Sequence, residues 1–172
     1  MKIKVLVISL LVFVAMVVGG CDRGNRSLIG DYSYKLSGEV ELTDADGTVT
    51  YHLVHRNGQM NILRNKSERN KYVITMNEMN GGCYTVNAEM RDGSLILDTH
   101  EFSTNILSTS GLPDLDFDQD EDATIVYRVS AVGNGILNGD ILIIKEGWTG
   151  YQCGNPNARL RGPEMTIMAE RN

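Results

Sequence analysis

The densest set of ligating oxygens in the chain is Asp114-Leu115-Asp116-Phe117-Asp118-Gln119-Asp120-Glu121-Asp122. Carboxylates at alternate residues are how calcium loops present oxygen to the ion, which makes Asp114, Asp116, Asp118 and Asp120 the candidate ligands. An EF-hand counted from Asp114 needs glycine at the sixth position and glutamate at the twelfth, where this chain has Gln119 and Ile125. The residues therefore favour a solvated acidic loop, and calcium is the sole cofactor they suggest. His52 and His55 are three apart on an expected strand and point to opposite faces, a poor pair for a metal. His100 stands beside Glu101 with no evident partner. No Ser/His/Asp order, glycine-rich phosphate loop or paired-carboxylate motif stands out, so no enzymatic activity is expected.

The remaining reactive side chains are three cysteines, Cys21, Cys83 and Cys153. Cys21 ends a positive start (Lys2, Lys4), an apolar run 5–18 and two glycines, the layout of a secretory signal peptide. The run is well short of the roughly 20 apolar residues that span a bilayer. Val18-Gly19-Gly20-Cys21 resembles the bacterial lipoprotein motif, which implies cleavage before Cys21 and a lipid on its thiol. Acyl chains contribute about 0.8 kcal/mol per buried CH₂, so several together hold a protein at a membrane. Residues 1–20 are then the signal peptide, and 21–27 are the lipidated cysteine with a tether reaching about 20 Å. An envelope location follows, with the outer membrane the expectation. Asp22 retains lipoproteins at the inner membrane in some bacteria, while other lineages sort by other rules.

With Cys21 lipidated, Cys83 and Cys153 form an even pair in an exported protein, where disulfides persist. A bridge would close a loop of about 70 residues, worth ~4 kcal/mol in the chain-entropy model; two buried free thiols are the alternative. Loss of Lys2 and Lys4 takes the formal charge from −6 to −8. An acidic chain without a basic run gains little from phosphate contacts, so nucleic acid is not an expected partner.

What must position any site is a set of strands. In Tyr32-Ser33-Tyr34-Lys35-Leu36-Ser37-Gly38-Glu39-Val40-Glu41-Leu42 every even position is apolar or glycine and every odd one polar. Val49, Tyr51 and Leu53 repeat the rule, as do Met60 and Ile62, Tyr72 to Met76, and Tyr84 to Met90. Leu95 and Leu97, Ile125 to Ala131, the set Gly139, Ile141 and Ile143, and Met165 with Ile167 complete it. Asp46-Gly47, Asn57-Gly58, Asn80-Gly81-Gly82, Asp92-Gly93 and Gly133-Asn134-Gly135 read as hairpin turns between them. The expectation is one all-β domain over 28–172, an antiparallel up-and-down meander of eight to ten strands. Closure into a barrel removes the exposed edges, and a two-layer sandwich alternates equally well. Residues 103–122 and 147–162 read as long loops.

At Leu28-Ile29-Gly30-Asp31-Tyr32-Ser33-Tyr34 the chain resembles the opening of a lipocalin-like, or calycin-like, barrel, with tyrosine in place of the tryptophan of Gly-X-Trp. The lipobox, this opening and the hairpin turns together are similar to small calycin-like lipoproteins of Bacteroidota. The resemblance implies an aromatic plug at a closed end and a barrel interior as the place for a ligand.

Tyr32, Tyr34, Tyr51, Tyr72, Tyr84 and Tyr127 sit on the alternating apolar faces, and Trp148 lies in the second expected loop beside Tyr151. Tyrosine pairs an apolar body with a polar tip, which suits an amphipathic guest. An eight-stranded barrel is either filled by its own side chains or wide enough for one small ligand. Two functions follow: a module holding a small hydrophobic or amphipathic molecule, or a filled barrel serving as a structural or interaction subunit of an envelope complex.

Overall fold

Tyr32, Tyr34, Leu36, Val40 and Leu42 are buried while their odd-numbered neighbours are not, the pleat of a strand with one dry face. That strand is β1, Gly30–Thr43. The computed structural model describes residues 28–79, 82–106 and 125–172. Their other strands are β2 (Val49–Arg64), β3 (Lys71–Glu78), β4 (Cys83–Arg91), β5 (Ser94–Asn105), β6 (Val126–Asn138), β7 (Ile141–Gln152) and β8 (Asn155–Arg171). Each pairs antiparallel with the next, and β8 returns to β1, so the meander closes as a barrel and not a sandwich. The signal peptide, Cys21, the tether and the acidic run 114–122 lie outside the described residues.

Some expected turns are turns. Asp92-Gly93 joins β4 to β5 with φ of 49° and 81°, the two positive values a tight primed hairpin requires. Two others are not. Asn57-Gly58 lies inside β2 and Gly133-Asn134-Gly135 inside β6. These glycines serve packing. A Cβ on Gly58 would come within 2.6 Å of the Tyr34 ring, and one on Gly133 within 2.7 Å of Glu146 Cγ. Inward-facing glycine lets a large side chain from a neighbouring strand cross the wall closely.

Two bulges reset which residues face inward. In β5 the register slips between Leu97 and His100, so Leu95 and Leu97 are buried before it and His100, Phe102 and Thr104 after it. In β8 it slips around Pro163, which has no N–H for a ladder; Leu160 is buried before it, Met165 and Ile167 after. In β7 the observed phase is Leu142, Ile144, Glu146 and Trp148, with Ile141 exposed. The expected set of Ile141 and Ile143 is therefore one residue out, because four consecutive apolar residues carry no period of two.

One end of the barrel is plugged by the chain's own entry. Leu28 is fully buried, and its carbonyl accepts a hydrogen bond from the Tyr32 hydroxyl at 2.9 Å. Arg171 at the end of β8 lies 5.4 Å from the Tyr32 ring centroid and donates to the same hydroxyl at 2.9 Å. The far end carries the β1–β2, β3–β4 and β7–β8 turns.

The disulfide is not formed: Cys83 and Cys153 are both free and exposed. Both lie at the far end, but β5 and β6 stand between β4 and the β7–β8 turn. Three strand spacings separate them by on the order of 14 Å around the wall. A bridge requires Cα atoms within about 7 Å.

Candidate functional site

The apolar interior is interrupted at one level by a buried acid and a buried imidazole. Glu146 on β7 and His100 on β5 are separated by β6, whose inward residues between them are Ala131 and Gly133. Small residues on the intervening strand let the two longer side chains meet across it. His100 Nε2 stands 3.6 Å from Glu146 Oε1, ion-pair range but longer than a hydrogen bond. The other ring nitrogen, Nδ1, lies 3.1 Å from the Asp98 carbonyl. A carbonyl only accepts, so Nδ1 carries the proton of that bond and Nε2 is the atom presented to Glu146. The β5 bulge makes this contact: it turns His100 inward and frees the Asp98 carbonyl to hold it.

Glu146 Oε2 accepts the Trp148 indole N–H at 3.0 Å. Burial raises the Glu146 pKa above the ordinary carboxylate value, partly offset by the Trp148 N–H and by His100. Around the pair is an aromatic wall. Tyr84 stacks on His100 (5.6 Å between centroids) and on Phe102 (4.8 Å), and Phe102 meets Trp148 edge-on at 5.1 Å. These rings do structural work as well. The β4–β5 ladder covers only Ala88–Arg91 against Ser94–Leu97, and beyond it the stacked rings join the two strands.

Arg56 on β2 completes the polar interior. It forms a largely buried ion pair with Glu78 at 2.6 Å, and donates to Thr104 Oγ1 and to the Asn105 carbonyl. The cation thereby ties β2 to β3 and to the end of β5. Removing one partner of such a pair leaves an uncompensated buried charge. Tyr34 lies within the field of these groups. Its pKa is raised, chiefly by burial and then by Glu78, so it stays a neutral phenol. Tyr84 is raised likewise, by burial and then by Glu146. The Tyr34 and Tyr72 hydroxyls are buried without a hydrogen-bond partner.

No family model, curated protein or solved structure matches the chain. The site is therefore read from its own geometry.

Of the residues expected to line the interior, Tyr32, Tyr34, Tyr72 and Tyr127 are buried in it. Tyr84 is half-buried at the β4–β5 seam. Tyr51 is outside, 63 % exposed, and its neighbours Val49 and Leu53 are exposed too, because the inward phase of β2 runs through Val54, Met60 and Ile62. Trp148 is not in a loop at a mouth: it is 1 % exposed inside β7, and most of 147–162 is the β7–β8 hairpin. Sequence reasoning missed Glu146, Arg56 and Arg171. Glu146 shares the parity of Leu142, Ile144 and Trp148, which is a legible signal once Trp148 is taken as core. Among the described residues no group of three or more His, Cys, Asp or Glu is placed to hold a metal ion.

Proposed function

We propose that the protein is a lipid-anchored, calycin-like barrel of a bacterial cell envelope, without enzymatic activity, that holds a small amphipathic molecule in its interior. The anchor rests on Val18-Gly19-Gly20-Cys21 and the short apolar run before it. The ligand reading rests on one observation: buried polar groups gather where an apolar core would be more stable. An unpaired buried hydroxyl costs about 1–3 kcal/mol, and Tyr34 and Tyr72 each carry one. Tyr34 lies within the field of Glu146, and the His100–Glu146 pair offers both a donor and an acceptor. A guest with a polar head and an apolar body would satisfy the Tyr34 hydroxyl and lie along the aromatic wall. The β4–β5 seam, held by side chains beyond its short ladder, is the natural route of entry.

A filled barrel acting as an interaction subunit is the second reading, favoured by the packing over Gly58 and Gly133. Trp148 distinguishes the two, because its indole is bonded to Glu146 within the proposed site. Titration with a fatty acid and with a neutral monoacylglycerol should shift or quench Trp148 emission with saturation. An emission spectrum unmoved by either probe would support the filled barrel.

A further inference from the structure

The outer wall carries a feature that the interior reading does not use. At the far end, β6, β7, β8 and β1 form a groove of about 630 Å³, within the size range of small-molecule sites. Its shape has a cause in the sequence. The β7–β8 register slips between Glu146 and Trp148 and again between Tyr151 and Gln152. Bulges bend the strand that carries them, and the groove is lined by residues of β7 and β8 between the two slips.

Cross-strand register then decides what lines it. Tyr151 on β7 pairs with Arg128 on β6 and with Arg159 on β8, so an exposed ring lies between two guanidinium groups. Arg161 follows on the same face of β8, between Thr149 on β7 and Glu41 on β1. Arg128 is engaged, donating through Nε (3.1 Å) and Nη2 (2.9 Å) to Glu101. Among the described residues the side chains of Arg159 and Arg161 make no ion pair or hydrogen bond. The groove is lined by three guanidinium groups and the carboxylates of Glu41 and Glu101, so a net positive charge stands beside an aromatic ring in an otherwise acidic protein. Guanidinium matches carboxylate and phosphate in a two-pronged geometry that ammonium cannot offer.

We propose that this groove binds a small organic anion, with Arg159 and Arg161 taking its phosphate or carboxylate and the Tyr151 ring its flat body. The site is separate from the interior, since Arg159, Arg161 and Tyr151 face outward and the strand backbone lies between them and the core.

Calorimetric titration of the mature protein with phenyl phosphate, inorganic phosphate and phenol tests it. Phenyl phosphate should bind at least about tenfold more tightly than inorganic phosphate, and phenol should give no heat. In Arg159→Gln/Arg161→Gln the phenyl phosphate affinity should fall about tenfold or more, with the emission of buried Trp148 unchanged as the check on folding. Tyr151→Ala should bring phenyl phosphate down to the level of inorganic phosphate. No heat with either anion, or affinity unchanged in the arginine variant, would overturn the proposal. Inorganic phosphate binding as tightly as phenyl phosphate would remove Tyr151 from the site. Either failure leaves the Trp148 response to fatty acids untouched, so the two readings are tested separately.

Discussion

His100 Nε2 stands 3.6 Å from Glu146 Oε1 inside the barrel, across a strand that offers only Ala131 and Gly133 between them. A buried acid beside a buried base is costly to keep in an apolar core, and replacement by apolar residues is often neutral or stabilising. The pair lies near the unpartnered Tyr34 hydroxyl, so a cluster of polar groups is enclosed by the apolar core.

Burial raises Glu146 above its ordinary value of 4.5, so the folded protein holds that proton more tightly than the unfolded chain. The group thus contributes stability below the ordinary value and loses it as pH rises through the folded one. Glu146→Gln keeps an oxygen for the Trp148 N–H and removes the titration. The urea midpoint of the variant should gain on that of the parent as pH rises from the ordinary carboxylate value of 4.5 toward neutrality. Asp46 and Glu89, whose lowered pKa values give the opposite slope, are common to both proteins and cancel in the difference. A constant gap across that range contradicts the assignment.

Gly58→Ala places a methyl group 2.6 Å from atoms of the Tyr34 ring and closer still to the Asn77 carbonyl oxygen. Overpacking of this kind costs about 1–3 kcal/mol. A urea midpoint equal to the parent's would mean that neither the Asn77 carbonyl nor the Tyr34 ring approaches Gly58 so closely.

Arg171→Ala removes both the cation over the Tyr32 ring and the hydrogen bond to its hydroxyl. The expected loss is about 1–3 kcal/mol in chemical denaturation. Arg171→Lys should recover only part of it, because a compact ammonium lacks the planar face of guanidinium.

Cys83 and Cys153 are free and exposed, so native, unreduced protein beginning at Asp22 should yield two reactive thiols with a colorimetric thiol reagent. A count of zero would restore the bridge expected from their even number.

The barrel itself is legible in the chain. The alternation from Tyr32 to Leu42 and the Asp92-Gly93 turn carry the meander, because a half-buried strand and a primed hairpin leave direct marks in residue type. Three kinds of information are hidden. Glycine marks turns and close packing alike, so Gly58 and Gly133 look like reversals until Tyr34 and Glu146 are seen beside them. A continuous apolar run such as Ile141-Leu142-Ile143-Ile144 has no readable phase, which concealed the inward positions of Glu146 and Trp148. A bulge changes the parity of everything after it, and nothing in Asp98-Thr99 announces that His100 will turn inward. The site is built at the two strands where these signals fail, β5 and β7.

The central claim is that the interior accepts a guest. Native mass spectrometry of residues 22–172, exported to a periplasm and purified gently, measures it directly. The account predicts a discrete added mass of a few hundred daltons (on the order of a drug-sized or lipidic molecule), lost on denaturation and reduced in a Tyr34→Phe/Glu146→Leu variant. A bare protein mass in both proteins would contradict it, leaving a barrel filled by its own side chains.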